Sequence, residues 1–276
     1  PACGESVTWT LLSGESSASV TVGGHYYLTG NYTYTGTGTA FNPLAASCLH
    51  LGQHTLSAPS GIAVSTGTNL NIMGTGTITA GKDSNWQGTL YITGGNTKIL
   101  GDVTITKAST ALQTAIVFAY NTAIVDIEGD VTIGEAGQSY SSAGCSAITL
   151  RGNNANVPVV NMKSGTVIGG ENTAGTYGSC VTWYAAPGTF NMTGGELTTT
   201  STNDAVIYIG SNQTAIIGAD ATLTGVKGML AYGSTTPNVT ISGTVTGSVD
   251  LRGTTATTLT GAPSIGNLIV PAGAKV

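Results

Sequence analysis

The sequence predicts an all-β chain folded as a right-handed, single-stranded parallel β-helix (a solenoid), with three short strands per coil and an N-terminal cap. Three observations carry this expectation. A unit of two alternating apolar residues, a glycine-containing corner and a second alternating run recurs as NLNIMGTGTIT from Asn69, VVNMKSGTVIG from Val159, GTFNMTGGELTTT from Gly188 and NVTISGTVTG from Asn238. One such unit cannot bury its own apolar face, so the copies must stack. Helical periodicity is absent and β-branched residues are dense, which suits strands. Only 8% of the 276 residues are charged, against roughly 25% in an ordinary globular chain, so the surface is solvated by hydroxyls and amides.

Residues 1–60 are the least regular. CGESVTWTL and SASVTV alternate at period two, GNYTYTGTGTAFNP reads as a strand and a loop, and AASCLHLGQHTL is the one place that suggests a short helical turn. A solenoid needs its open end covered, so this region is expected to be a cap and a first coil. From Gly61 to about residue 252 the repeat register is legible. Aligning the first strand of each unit gives an inward column Ile62, Leu90, Ile116, Ile148, Val181, Val206, Leu230, Val249. Two residues on lies a second column: Val64, Ile92, Phe118, Leu150, Trp183, Tyr208, Tyr232, Leu251. Spacings run from 19 to 33 residues, and the variation falls in the connection after the third strand. The third strands carry two outward threonine columns: Thr77, Thr104, Thr132, Thr166, Glu196, Thr222, Thr244 and Thr79, Thr106, Gly134, Ile168, Thr198, Thr224, Thr246. Residues 253–276 lose the spacing and are expected to close the far end. About nine to eleven coils follow, with the right-handed sense that parallel crossovers favour.

The four cysteines, at 3, 48, 145 and 180, sit far apart with no C-x-x-C spacing, so no zinc site is expected. Two disulfides, Cys3–Cys48 and Cys145–Cys180, are the simplest pairing, the second inferred from the repeat register, and they point to an oxidising, extracellular setting. The net charge of −5 arises from few groups and gives no basic footprint for nucleic acid. No window approaches the ~20 apolar residues of a helical membrane span.

The runs GTFNMTGGELTTT, NMKSGTVIGG and TGGNTKILGDVTIT, with the opening CGESVTWTL, resemble the β-helix repeat regions of large adhesin-like surface proteins of gut Firmicutes. The resemblance covers most of residues 61–250 and brings no catalytic residue with it. It implies an exported, bacterial cell-surface module, monomeric within a larger multi-domain protein, whose partner is a glycan or a host-surface ligand.

Candidate chemistry is sparse. Outward and loop aromatics, Tyr91 and Tyr184 with Trp86, Tyr140 and Tyr177, are the residues that could stack on pyranose rings; the inward column of Phe118, Trp183, Tyr208 and Tyr232 is expected to be core. Acids cluster once, at Asp126, Glu128 and Asp130. Three oxygen donors could hold Ca2+, the only cofactor suggested, or supply paired carboxylates, while ordinary turn chemistry explains the same residues. A polysaccharide lyase or hydrolase is the alternative function, although Arg151 and Arg252 lie several coils apart and the acid in TND (202–204) stands alone. The threonine grid raises a second alternative, ice binding. Any binding site is expected on the loop edge formed by residues 81–88, 107–114, 134–147, 169–180 and 200–204, because loops carry function on rigid scaffolds.

Overall fold

The computed structural model describes residue 3 and residues 7–83, 87–142, 144–153, 155–175, 177–184, 187–231, 237–252 and 263–270. These residues contain strands and no helix, and all but two strands join one parallel ladder of 25 strands. The fold is a parallel β-helix. A single coil reads Leu70–Met73, Thr75–Ala80, Leu90–Ile92, and each strand pairs in parallel with its counterpart in the coils on either side.

The core is built from like positions stacked coil on coil. In the second-strand sheet the inward column is Ile72, Ile99, Ile127, Met162, Met192, Ile217, Ile241, each in register with the next. In the third it is Ile78, Ile105, Ile133, Val167, Leu197, Leu223, Val245. All are buried. The corner between these two sheets is a column of glycines in left-handed backbone: Gly74, Gly101, Gly129, Gly165 and Gly195 have φ between +90° and +102°. A Cβ on Gly129 would stand 2.8 Å from the backbone of Gly101, so neither the conformation nor the space admits a side chain.

The stack begins earlier than the repeat suggested. Trp9–Ser16 already pairs with His25–Tyr34, which pairs with Ser47–His50 and His54–Ala58. The helical turn expected in AASCLHLGQHTL is therefore two strands; its apolar residues Cys48, Leu49, Leu51 and Leu56 are buried, Leu49 in the inward column with Ile72 and Cys48 on the opposite face. At the far end Ser264–Ile269 pairs with Thr244–Asp250 and adds a further strand to the ladder; the rest of the stretch expected to close that end lies outside the described residues.

The first-strand sheet differs from expectation by a residue in several coils. Its column reads Val64, Leu90, Val117, Ile148, Val181, Ile207, Met229, Val249. Ile62, Ile116, Val206 and Leu230 are thereby displaced from it. The supposed inward aromatic column does not exist: Trp183 faces in, whereas Phe118 and Tyr208 share the opposite face with Tyr91 and Thr149; Tyr232 lies outside the described residues. The cause is that this sheet is buried on both faces, as in Val117–Ala119 and Gly178–Trp183, so alternation no longer marks the inside. A loop covers part of its outer face, where Phe118 and Thr149 are buried: the Thr149 hydroxyl donates to Gly144 O at 3.0 Å.

Candidate functional site

Only one of the two expected disulfides forms. Cys3 and Cys48 are joined, whereas Cys145 and Cys180 are buried thiols outside any disulfide. Ile148 pairs with Val181, and extending that register sets Cys180 opposite Ala147 and Cys145 opposite Gly178. An offset of two residues along adjacent strands separates the Cα atoms by about 8 Å, beyond the ~7 Å a disulfide spans. Each thiol instead donates to a backbone carbonyl: Cys145 to Gln113 at 3.1 Å and Cys180 to Thr198 at 3.2 Å. Burial pushes the Cys180 thiol up to about 12, which leaves it inert.

The loop edge is more ordered inside than a set of binding loops. Ser139–Tyr140 and Glu171–Asn172 pair as a small parallel ladder. Tyr140, expected to be an exposed ligand contact, is fully buried beneath it, and burial raises its phenol well above its ordinary value. The loop is long enough to form a small core of its own, and the phenol ring is its largest apolar group. Asp204 is buried as well: Oδ2 accepts from Asn172 N and Ser201 Oγ, both at 2.8 Å, and Oδ1 from Tyr177 N at 3.1 Å. Above this lies a shallow groove of about 210 Å³ lined by Gly137–Ser139, Gly169–Glu171 and Thr200–Thr202.

Lys107 was not anticipated. It is 2% exposed, its Nζ donates to Ala111 O (2.7 Å) and Ser139 O (2.9 Å), and it lies 4.8 Å from the Tyr140 ring centre. Desolvation lowers its pKa to about 8. Because the unfolded chain holds this proton more tightly, stability rises as pH climbs from 8 towards the unfolded value near 10.5. Between pH 8 and 9 the gain is about 1 kcal/mol. Urea unfolding should show that increment in the native chain and lose it in Lys107→Met; equal slopes in the two proteins would refute the assignment.

The acids of IVDIEGD are where alternation placed them, outward on the second sheet, but they are occupied laterally. Asn161 Nδ2 donates to Asp126 Oδ1 at 2.8 Å, Lys163 pairs with Glu128 at 3.0 Å, and Asp130 is exposed at the corner. Among the described residues these three carboxylates do not converge on a point where one ion could be shared.

What the fold does bring together is a strip on the outer face of the first-strand sheet. Tyr91 stacks on Tyr120 (centroids 6.4 Å apart, planes 19°) and leans on Phe118 at 5.7 Å. Tyr120 pairs in register with Arg151, and the Arg151 guanidinium carbon stands 5.8 Å from the Tyr120 ring centre and 5.0 Å from that of Tyr184. Three rings and one cation therefore lie over four successive coils, about 14 Å at ~4.8 Å per coil. Burial, then the charge of Tyr120, raises the Tyr91 phenol, while Arg151 opposes the shift. Tyr177 packs edge-on against Tyr208 at 5.4 Å, on the same face farther along. Three of the five aromatics singled out in the sequence (Tyr91, Tyr177 and Tyr184) thus share a face, and Trp86 lies outside the described residues. Tyr120 was missed because the one-residue register error pointed its strand the wrong way, and Arg151 because arginines were sought beside acids.

A second aromatic patch lies at the N-terminal end. Tyr27 stacks on His50 (4.8 Å, 16°), and Trp9 meets both edge-on at 6.2 Å. Burial lowers the His50 pKa, and its Nδ1 accepts from Gly52 N at 3.1 Å.

Comparison of the chain with protein-family models, with curated proteins and with solved structures returned no match.

Proposed function

We propose that the chain is a non-catalytic, extracellular binding module of an adhesin-like bacterial surface protein. In this reading it takes a glycan along the outer face of its first-strand sheet. The observation that carries the proposal is the ring–cation–ring strip of Tyr91, Tyr120, Arg151 and Tyr184 on consecutive coils. Tyrosine faces stack on the apolar faces of sugar rings, and a rigid ladder holds them at fixed spacing at little entropic cost. The guanidinium between the rings supplies planar donors for sugar hydroxyls or carboxylates. The Cys3–Cys48 disulfide supports an extracytoplasmic setting. A hydrolytic or lyase reading is less well supported, because Asp126, Glu128 and Asp204 already accept hydrogen bonds or ion pairs from neighbouring coils.

Screening the chain against immobilised oligosaccharides, followed by calorimetry on the best ligand, tests the proposal. Tyr120→Ala should weaken that ligand at least tenfold, about 1.4 kcal/mol, with Ile216→Ala on another face as the unaffected control. Absence of glycan binding, or unchanged affinity in Tyr120→Ala, would rule out this face; release of cleaved product would establish the enzymatic alternative.

A second reading rests on the threonine face. Its columns are in the register expected and extend towards the N-terminus through Thr55 and Ser57, with hydroxyl contacts such as Thr106 to Thr79 at 3.2 Å. Glu196, Ile168 and Gly134 interrupt them. A thermal-hysteresis measurement at millimolar protein separates ice binding, which predicts a freezing gap, from a solvated strand face, which predicts none.

A further inference from the structure

We propose that Cys3, His25 and Cys48 form a redox-gated metal site, closed while the two cysteines are joined and selective for a thiophilic d10 ion such as Zn2+ once they are reduced. The proposal is independent of the glycan reading and lies on a different sheet. The two sulfurs and a ring nitrogen of His25 all lie within 4.8 Å of one another. The arrangement is fixed by the ladder. His25 stands opposite Cys48 in neighbouring coils, Trp9 flanks His25 on one side, and Asn71 flanks Cys48 on the other. The Trp9 ring meets the imidazole edge-on at 5.5 Å, and Asn71 Nδ2 stands 3.1 Å from Cys3 Sγ.

A second observation points to a ligand. His25 Nδ1 is buried and has no hydrogen-bond partner, although Trp9 holds the ring in place. A buried polar atom without a partner calls for a reason, and a ring nitrogen of the same imidazole lies within 4.8 Å of both sulfurs, where it can donate to an ion. Two thiolates and one imidazole are a donor set that suits zinc, leaving a fourth position for water. Tetrahedral coordination at the usual Zn–S and Zn–N lengths needs ligand atoms about 3.5–3.8 Å apart. Small side-chain adjustments within the observed 4.8 Å limit reach that separation.

The chemistry balances without an unnamed reagent. A phosphine breaks the S–S bond; phosphorus is oxidised to the phosphine oxide with oxygen from water, and the two hydrogens of that water end on the two sulfurs. A small thiol achieves the same by exchange, two of its molecules leaving as a disulfide. Binding of the ion then releases both thiol protons to solvent. In the joined state the sulfurs offer no thiolate, so the ion and the disulfide exclude each other.

Cobalt serves as the visible probe. The full chain, reduced with a phosphine, should take up one equivalent of Co2+ with the intense absorption of a tetrahedral thiolate complex, and Zn2+ should bleach it. The oxidised chain should take up none. His25→Ala should weaken cobalt at least tenfold. A Cys145→Ala/Cys180→Ala double variant should bind as the native chain does, because those thiols lie elsewhere in the stack. Equal uptake by oxidised and reduced chains would overturn the proposal. So would binding unchanged by His25→Ala, or a reduced chain that binds no cobalt, whether circular dichroism shows it folded or unfolded.

Discussion

Replacing Phe190 by alanine is expected to lower stability by about 3–5 kcal/mol, the range for large aromatic truncations in a core. Phe190 is fully buried, and it stacks in register between Val160 in the preceding coil and Ala215 in the following one. The ring fills the space that the small Ala215 leaves. Two alanines in succession would leave a void that neighbouring coils, held at the ladder spacing, cannot close. A solenoid adds a further signature, because each coil contacts only its neighbours. Weakening one near the middle should lower the urea midpoint and also reduce the slope of the transition, as the two halves begin to unfold separately. Ile216, beside Ala215 on the neighbouring strand, is 36% exposed, and its truncation should cost under about 1 kcal/mol. A Phe190→Ala loss no larger than that of Ile216→Ala would mean the column is not packed as described.

The second large effect concerns the disulfide. Cys3 and Cys48 are 45 residues apart, and cross-linking a loop of that size restricts the unfolded chain by up to about 4 kcal/mol, with 2–4 kcal/mol commonly realised. Cys3→Ser is the suitable probe, since Cys48 is fully buried and its replacement would also disturb packing. The variant should be less stable than the oxidised native chain by that amount and equal to the native chain under reductant. Identical stabilities in oxidised and reduced native protein would show that the bond constrains nothing.

Legibility in the sequence followed burial asymmetry. The third-strand columns from Thr77 and Thr79 were readable residue by residue because one face is hydroxyl and the other is Ile or Val, so a slip of one position would bury threonine. The first-strand sheet lacked that contrast. Val117 and Phe118 are both buried, as are Val206 and Ile207, and nothing local says which faces the axis. The same error hid Tyr120 and with it the strip that joins Tyr91 to Tyr184. Tyr140 was misplaced for another reason: loops are usually solvated, but this one pairs with its neighbour and closes over the phenol. The Cys145 offset was visible in principle, since Cys145 precedes Ile148 by three residues and Cys180 precedes Val181 by one. Lys107 gave no warning, because a lysine at a strand end normally reaches solvent.

The unequal coils have a mechanical meaning. Successive first-strand positions Val64, Leu90, Val117, Ile148, Val181, Ile207, Met229 and Val249 are separated by 26, 27, 31, 33, 26, 22 and 20 residues. The hydrogen bonds that join coils run along the stack, so tension applied at the chain ends strips one coil at a time from an end. Each detachment then releases roughly 70–120 Å of slack, at 3.3–3.6 Å per residue. A chain pulled from its C-terminal side would lengthen in small steps first and larger ones later. At the other end the Cys3–Cys48 bond withholds its 45-residue span from any extension until a reductant reaches it.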